Sequence, residues 1–198
     1  MRFSLTLLSL AFLGLTSCID SENPLSDPQS AKPAAELSGV WKVQDKDGDV
    51  DYYHVGLAGE KFPAGLMRME LVSHAKDGIL HPSDFLLFTT TLGDRHFVNV
   101  TALDRDQLEQ VEKTGFEPAM FKDYWIYEYR LKGDKIQLLH MDGDQKKAAI
   151  EKGKLKGVVK ENEVSFKDTT ENLVKFIASP DAAKLFQAKD EQVLERVK

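Results

Sequence analysis

Four aspartates at alternating positions, Asp45, Asp47, Asp49 and Asp51, form the densest acidic cluster in the chain, and carboxylates in such a run can ligate calcium. The loop frame argues against it. With Asp45 in the first position of an EF-hand loop, Val50 falls where glycine is required and Gly56 falls where a bidentate glutamate is required. The cluster therefore reads as a solvated hairpin turn. His54, His74, His81, His96 and His140 show no His-x-His pair and no His-Glu-x-x-His spacing. A structural zinc site would also draw on cysteines, and Cys18 is the chain's one cysteine. No metal and no cofactor is expected. There is no Gly-x-Ser-x-Gly elbow for nucleophilic chemistry, and no Walker or Gly-x-Gly-x-x-Gly loop to cradle a phosphate. The chain is read as non-enzymatic, with no catalytic residue assigned.

Two further groups could bind rather than react. Trp125, Tyr127 and Tyr129 alternate along one segment and so share one face of a strand, where they could line a ligand pocket; ordinary core packing is the plain alternative. Lys146, Lys147, Lys152, Lys154, Lys156 and Lys160 form a basic run interrupted by Glu151. Such a run could meet anionic head groups, and as a solvated helix and loop face it would do nothing specific.

Cys18 stands in a more informative setting. Met1 and Arg2 precede an apolar run from Phe3 to Leu15, too short for the about 20 residues of a spanning helix and of the length of a secretory apolar region. The run ends in Leu15-Thr16-Ser17-Cys18, which resembles the lipobox of bacterial lipoproteins. The resemblance covers the first 18 residues and implies cleavage after Ser17, with Cys18 as the lipid-bearing first residue of the mature protein. Several acyl chains, at about 0.8 kcal/mol per buried methylene, would hold the protein on a bilayer without a transmembrane helix. Ile19 follows the cysteine where inner-membrane members often carry aspartate, so the resemblance implies the periplasmic face of the outer membrane.

The next stretch, residues 18–36, is rich in Ser, Pro, Asp, Asn, Gln and Ala, with Leu25 its one large aliphatic residue beyond Ile19. Such a composition reads as a flexible tether, able to hold a domain up to about 60 Å from the membrane. The expected organisation is a signal peptide over 1–17, a lipidated tether over 18–36 and one globular domain over 37–198. With 26 Lys and Arg against 32 Asp and Glu, the chain carries a net charge of −6, which argues against nucleic acid as a partner.

The elements of that domain are written mostly in period two. Val40 to Val43 and Val50 to Leu57 flank Asp47-Gly48, extended segments are expected at 66–72, 85–92 and 96–102, and Gly93-Asp94 supplies a turn. The clearest hairpin joins Trp125–Leu131 to Ile136–Met141, with Ile126, Glu128 and Arg130 on the face opposite the aromatics. Helix starts are expected at Asp168-Thr169-Thr170-Glu171 and at Ser179-Pro180-Asp181, a further helix over 144–155, and a closing strand over 193–197. This is a mainly β, β-rich α+β class: an antiparallel meander forming a barrel or curved sheet, with short helices late in the chain. Gly39-Val40-Trp41 resembles the Gly-x-Trp signature of lipocalin-like barrels. That resemblance implies that Trp41 packs across a closed barrel end and that Arg196 covers its ring. The stretch from Tyr124 to Leu173 is also similar to small envelope proteins of no assigned activity.

The function expected from these signals is a membrane-tethered envelope lipoprotein whose barrel binds a small apolar or amphipathic ligand. The alternative is a lipoprotein that acts on an envelope protein through its surface. Either way, a Cys18→Ala variant is expected to lose incorporation of labelled palmitate. Unchanged labelling would rule out a lipid at Cys18.

Overall fold

The computed structural model describes residues 19–44, 48–74, 80–161 and 163–198. Among these, β1 (Gly39–Gln44), β2 (Val50–Leu57), β3 (Met67–His74), β4 (Leu80–Leu92), β5 (Arg95–Ala102), β6 (Trp125–Lys132), β7 (Lys135–Met141) and β10 (Phe186–Arg196) close into an antiparallel barrel. Neighbours in sequence are neighbours in the barrel, except that β10 joins β7 to β1. The hairpin of β8 (Gly157–Lys160) and β9 (Glu163–Phe166) is inserted before that last strand. The expected mainly β barrel is thus present. Its tight hairpins use the expected turn chemistry: Leu92 pairs with Arg95 and Lys132 with Lys135, around Gly93 and Gly133 at φ of 65° and 62°.

Two apolar layers follow from the sequence of the central strands. Phe85 and Leu87 point into the barrel beside Tyr53, Met69, Val98 and Tyr127, whereas Leu86 and Phe88 point outward beside Phe97, Ile126 and Leu139. A strand apolar on both faces must be covered on both. The outer cover is supplied by α3 (Thr170–Ile177), which buries Leu173, Phe176 and Ile177, by α1 (Arg105–Thr114) through Val111, and by α2 (Gly143–Glu151) through Ala149. Ile126 and Glu128, on the face opposite the aromatics, are therefore buried beneath this layer.

The helices correct several boundaries. The α3 cap is Thr169, whose hydroxyl accepts from Asn172 N, while Asp168 accepts from Lys156 N and Asn172 Nδ2. Ser179-Pro180 starts only a 3-10 turn (Pro180–Ala182), because the chain must enter β10 at Phe186. α1 was not expected, although its Asp104/Gln107 capping box is readable in the sequence. Its charged stretch buries only Val111.

One barrel end is closed as the Gly-x-Trp resemblance implies. The β1–β10 seam has two paired positions, Trp41↔Arg196 and Lys42↔Glu195, against six between β1 and β2, so it needs other support. The Arg196 guanidinium lies 4.1 Å from the Trp41 ring centroid and donates to Ser38 O at 2.6 Å and Glu36 O at 2.8 Å. Trp41 Nε1 donates to Leu37 O at 2.8 Å. Gly39, at φ 132°, leaves room for the arginine, since a Cβ there would lie 2.5 Å from Arg196 Nη1.

The expected flexible tether is overturned. Residues 19–38 run along the outer wall as a strap and then turn beneath the barrel, where Ala34 and Leu37 seal the interior. Asp20 N and Ser21 N both donate to Tyr124 O, Phe166 N donates to Asp20 O, and Ser21 bridges the two sheets by pairing with Tyr124 just before β6 and with Phe166 at the end of β9. Further along, Leu25 N donates to Asn99 Oδ1 at 2.8 Å, and Leu25 is 2% exposed. Asp20 itself is 4% exposed; its carboxylate accepts from Ile126 N at 3.0 Å and from Lys146 Nζ at 2.6 Å. Composition suggested flexibility because nearly every stabilising partner is far along the chain.

Breaking one side of a buried ion pair leaves an uncompensated charge, at about 3–5 kcal/mol. Asp20→Ala is therefore expected to lower stability in urea by about that amount, and adding Lys146→Met should restore much of it. An unchanged midpoint in the single variant would show that the strap is not held by this pair.

Candidate functional site

Alternation places Tyr53 of β2, Tyr127 and Tyr129 of β6, and Leu138 and His140 of β7 on the inner face of the barrel. All of these but His140 line an apolar cavity of about 60 Å³, together with Trp41, Met69, Leu87 and Val98. The three phenols are spread over it. Tyr53 OH accepts from Gln192 Nε2 at 3.4 Å, Tyr129 OH donates to Glu36 Oε1 at 3.3 Å, and the Tyr127 ring meets the His140 ring edge-on at 4.8 Å. Of the aromatic residues expected to bind a ligand, Tyr127 and Tyr129 line this cavity. Trp125 packs edge-on against Phe85, with ring centroids 6.1 Å apart, and does not line it. Gly39 and Trp41 take the structural positions described above, while Cys18 lies outside the described residues.

A second, polar cleft of about 410 Å³ opens beside the β4–β5 turn, lined by Glu36, Asp94, Arg95, His96, Glu128 and Arg130 among others. Its chemistry is largely committed to holding the fold. Arg95 donates to Glu128 Oε2 through Nε at 3.1 Å and Nη2 at 2.7 Å, and through Nη1 to Ile177 O, the last residue of α3. Arg130 Nη2 donates to the other Glu128 oxygen at 3.0 Å. With both oxygens bonded to guanidinium groups, Glu128 is a firm anchor. The Arg95 guanidinium also lies 4.9 Å from the Phe97 ring and 5.4 Å from the Phe186 ring. Barrel wall, helix C-terminus and β10 thus meet at one side chain. Sequence reading noted Glu128 and Arg130 only as the outer face of a strand, and Arg95 not at all, since nothing local marks a knot spanning Arg95 to Ile177.

The other candidates are dispersed. Asp45 and Asp47 lie outside the described residues, Asp49 is exposed before β2, and Asp51 pairs with Val43 across the β1–β2 ladder. Among the described residues no group of three or more His, Cys, Asp or Glu side chains is placed to hold a metal. Within the basic run, Lys146 is buried on Asp20, and Lys147, Lys154 and Lys160 pair with Glu151, Asp181 and Glu163. Ser73-His74-Ala75-Lys76 has a Ser-x-x-Lys spacing that the sequence reading overlooked. Ser73 sits in the β3–β4 ladder opposite His81, and Lys76 lies outside the described residues.

No family model, curated protein or solved structure matches this chain.

Burial pushes the phenols of Tyr53 and Tyr129 up to about 12, with the Glu36 carboxylate adding to the rise at Tyr129, and burial also raises Tyr127 well above its ordinary value. An unfolded chain releases these protons near pH 10 while the folded chain keeps them, so their contribution to stability is complete below about pH 10. It is lost as pH rises toward about 12. The urea midpoint is expected to fall across that window, and to fall less steeply in a Tyr53→Phe/Tyr129→Phe variant. A midpoint independent of pH there would contradict the burial of these hydroxyls.

Proposed function

We propose that this chain is an envelope lipoprotein, anchored through Cys18 at the periplasmic face of the outer membrane, whose barrel acts on an envelope protein through its outer surface without catalytic turnover. The lipobox resemblance supports the anchor. The observation that carries the surface reading is the interior volume: about 60 Å³, against the roughly 300–1,000 Å³ of pockets that enclose small molecules. Side chains and the strap fill the space in which a lipid or other amphipathic ligand would sit.

The surface available is the wall that neither strap nor helices cover. On β1, β2, β3 and β10 it presents Lys42, His54, Arg68, Glu70 and Glu195, a mixed-charge face with His54 and Glu70 exposed. Paired charges there, such as Arg68 with Asp84 at 2.9 Å and Lys135 with Glu195 at 2.6 Å, keep it well solvated. Such a face suits a polar, reversible partner better than an apolar one.

A second reading keeps a small apolar or amphipathic ligand in the barrel, with Tyr127 and Tyr129 as lining and Trp125 near the rim. The aliphatic and aromatic character of the cavity favours it, and it requires inner side chains to move. Native mass spectrometry of protein purified from membranes separates the two. The surface reading expects the mass of the chain and its Cys18 acyl groups alone; a further stoichiometric lipid or metabolite, displaced by a bulky Val98→Trp substitution, would overturn it in favour of the interior ligand.

A further inference from the structure

We infer that the domain has no slack between its lipid and its fold, so that the end of the barrel where β6 begins is held directly against the bilayer. This rests on the lipid anchor at Cys18. Two peptide units separate Cys18 from Asp20, a reach of at most about 7 Å. Asp20 cannot lengthen that reach without unfolding the strap: its carboxylate is bonded to Lys146 and Ile126, and its backbone to Tyr124 and Phe166. The composition of the strap promised a long tether, and its packing removes it.

The attachment point also selects an orientation. Tyr124, which receives the first two strap amides, immediately precedes β6. The opposite end of that strand, at Gly133-Asp134, lies eight residues away, or about 27 Å along the strand and about 20 Å along the axis of a barrel with tilted strands. The Trp41–Arg196 end is on that far side, since Arg196 N donates to Asp134 O. A membrane surface is the occupant the anchor assigns to the near end, because Asp20, two residues from the acylated Cys18, is bonded there.

Charge is not what holds this face down. Beside the start of the strap Lys167 lies 3.8 Å from both Glu22 and Asp123, and Lys147 of α2 lies 3.9 Å from Glu151. The contact is set by covalent geometry, so salt and anionic lipid should leave it unchanged.

Because acylation consumes the native thiol, single cysteines can be labelled cleanly in the lipidated protein. Lys122→Cys and Asp134→Cys variants carrying a fluorophore would be reconstituted into phosphatidylcholine vesicles containing a head-group-labelled quencher lipid. The label at position 122 is expected to lose most of its emission and the label at 134 to keep it, in low and high salt alike. A long Gly/Ser insertion between Ile19 and Asp20 should abolish the difference. Equal quenching at the two positions of an acylated protein overturns the orientation while leaving the anchor standing. Absence of acyl groups on Cys18 by mass spectrometry overturns the anchor and the orientation together.

Discussion

The outer wall of the barrel is as apolar as its interior along β4 to β7, and the fold depends on keeping that wall out of water. Phe88, Phe97 and Ile126 are at most 1% exposed although they point away from the barrel axis. Burying such side chains supplies about 1.5–3 kcal/mol each. That gain exists only while something lies over them. The cover is assembled from the strap over residues 19–38, from α1 and from the helices between β7 and β10. Asp20 and Lys146 join the strap to α2 at 2.6 Å across 126 residues of sequence. The pair is dry on both sides, its partners are satisfied, and it fixes where the strap begins.

The same strap then closes the barrel from below. Leu37 gives its carbonyl to Trp41, and Ser38 and Glu36 give theirs to Arg196, so side chains reinforce the short β1–β10 ladder. Eight strands make a barrel whose interior side chains can nearly fill it, and here they do so with three tyrosines and a ring of Met, Leu and Val. The interior is left with about 60 Å³ of free space, while the outward faces of β1, β2, β3 and β10 carry polar and charged side chains.

Arg95 shows how a cleft of attractive composition can be structural. Two arginines, a buried glutamate, a histidine and a tyrosine near one another invite a reading as a polar binding site. Their bonds are spent on each other and on the end of α3, so the cluster orders the junction of β5, β6, α3 and β10. Its histidine, His96, keeps company with the Tyr129 ring at 5.8 Å and sits at the rim.

Period-two alternation, Gly-Asp turns and the cap before Asn172 are local features, and they made the barrel strands, their antiparallel order and α3 readable from the chain alone. Gly39, Trp41 and Arg196 were readable too, because a short motif at each end of the domain constrains how a barrel closes. What the strap does was not readable. Ser, Pro and Asp describe how a segment behaves in water, whereas Asp20, Ser21 and Leu25 are governed by Lys146, Phe166 and Asn99, residues that only the fold brings near. The double-sided burial of β6 was hidden for the same reason, since alternation reveals one face and is silent on what covers the other. Sequence therefore determined the class of fold and the candidate anchor; tertiary structure decided that the interior keeps only about 60 Å³ and that residues 19–38 pack on the barrel, because volume and packing depend on contacts between residues far apart in the chain.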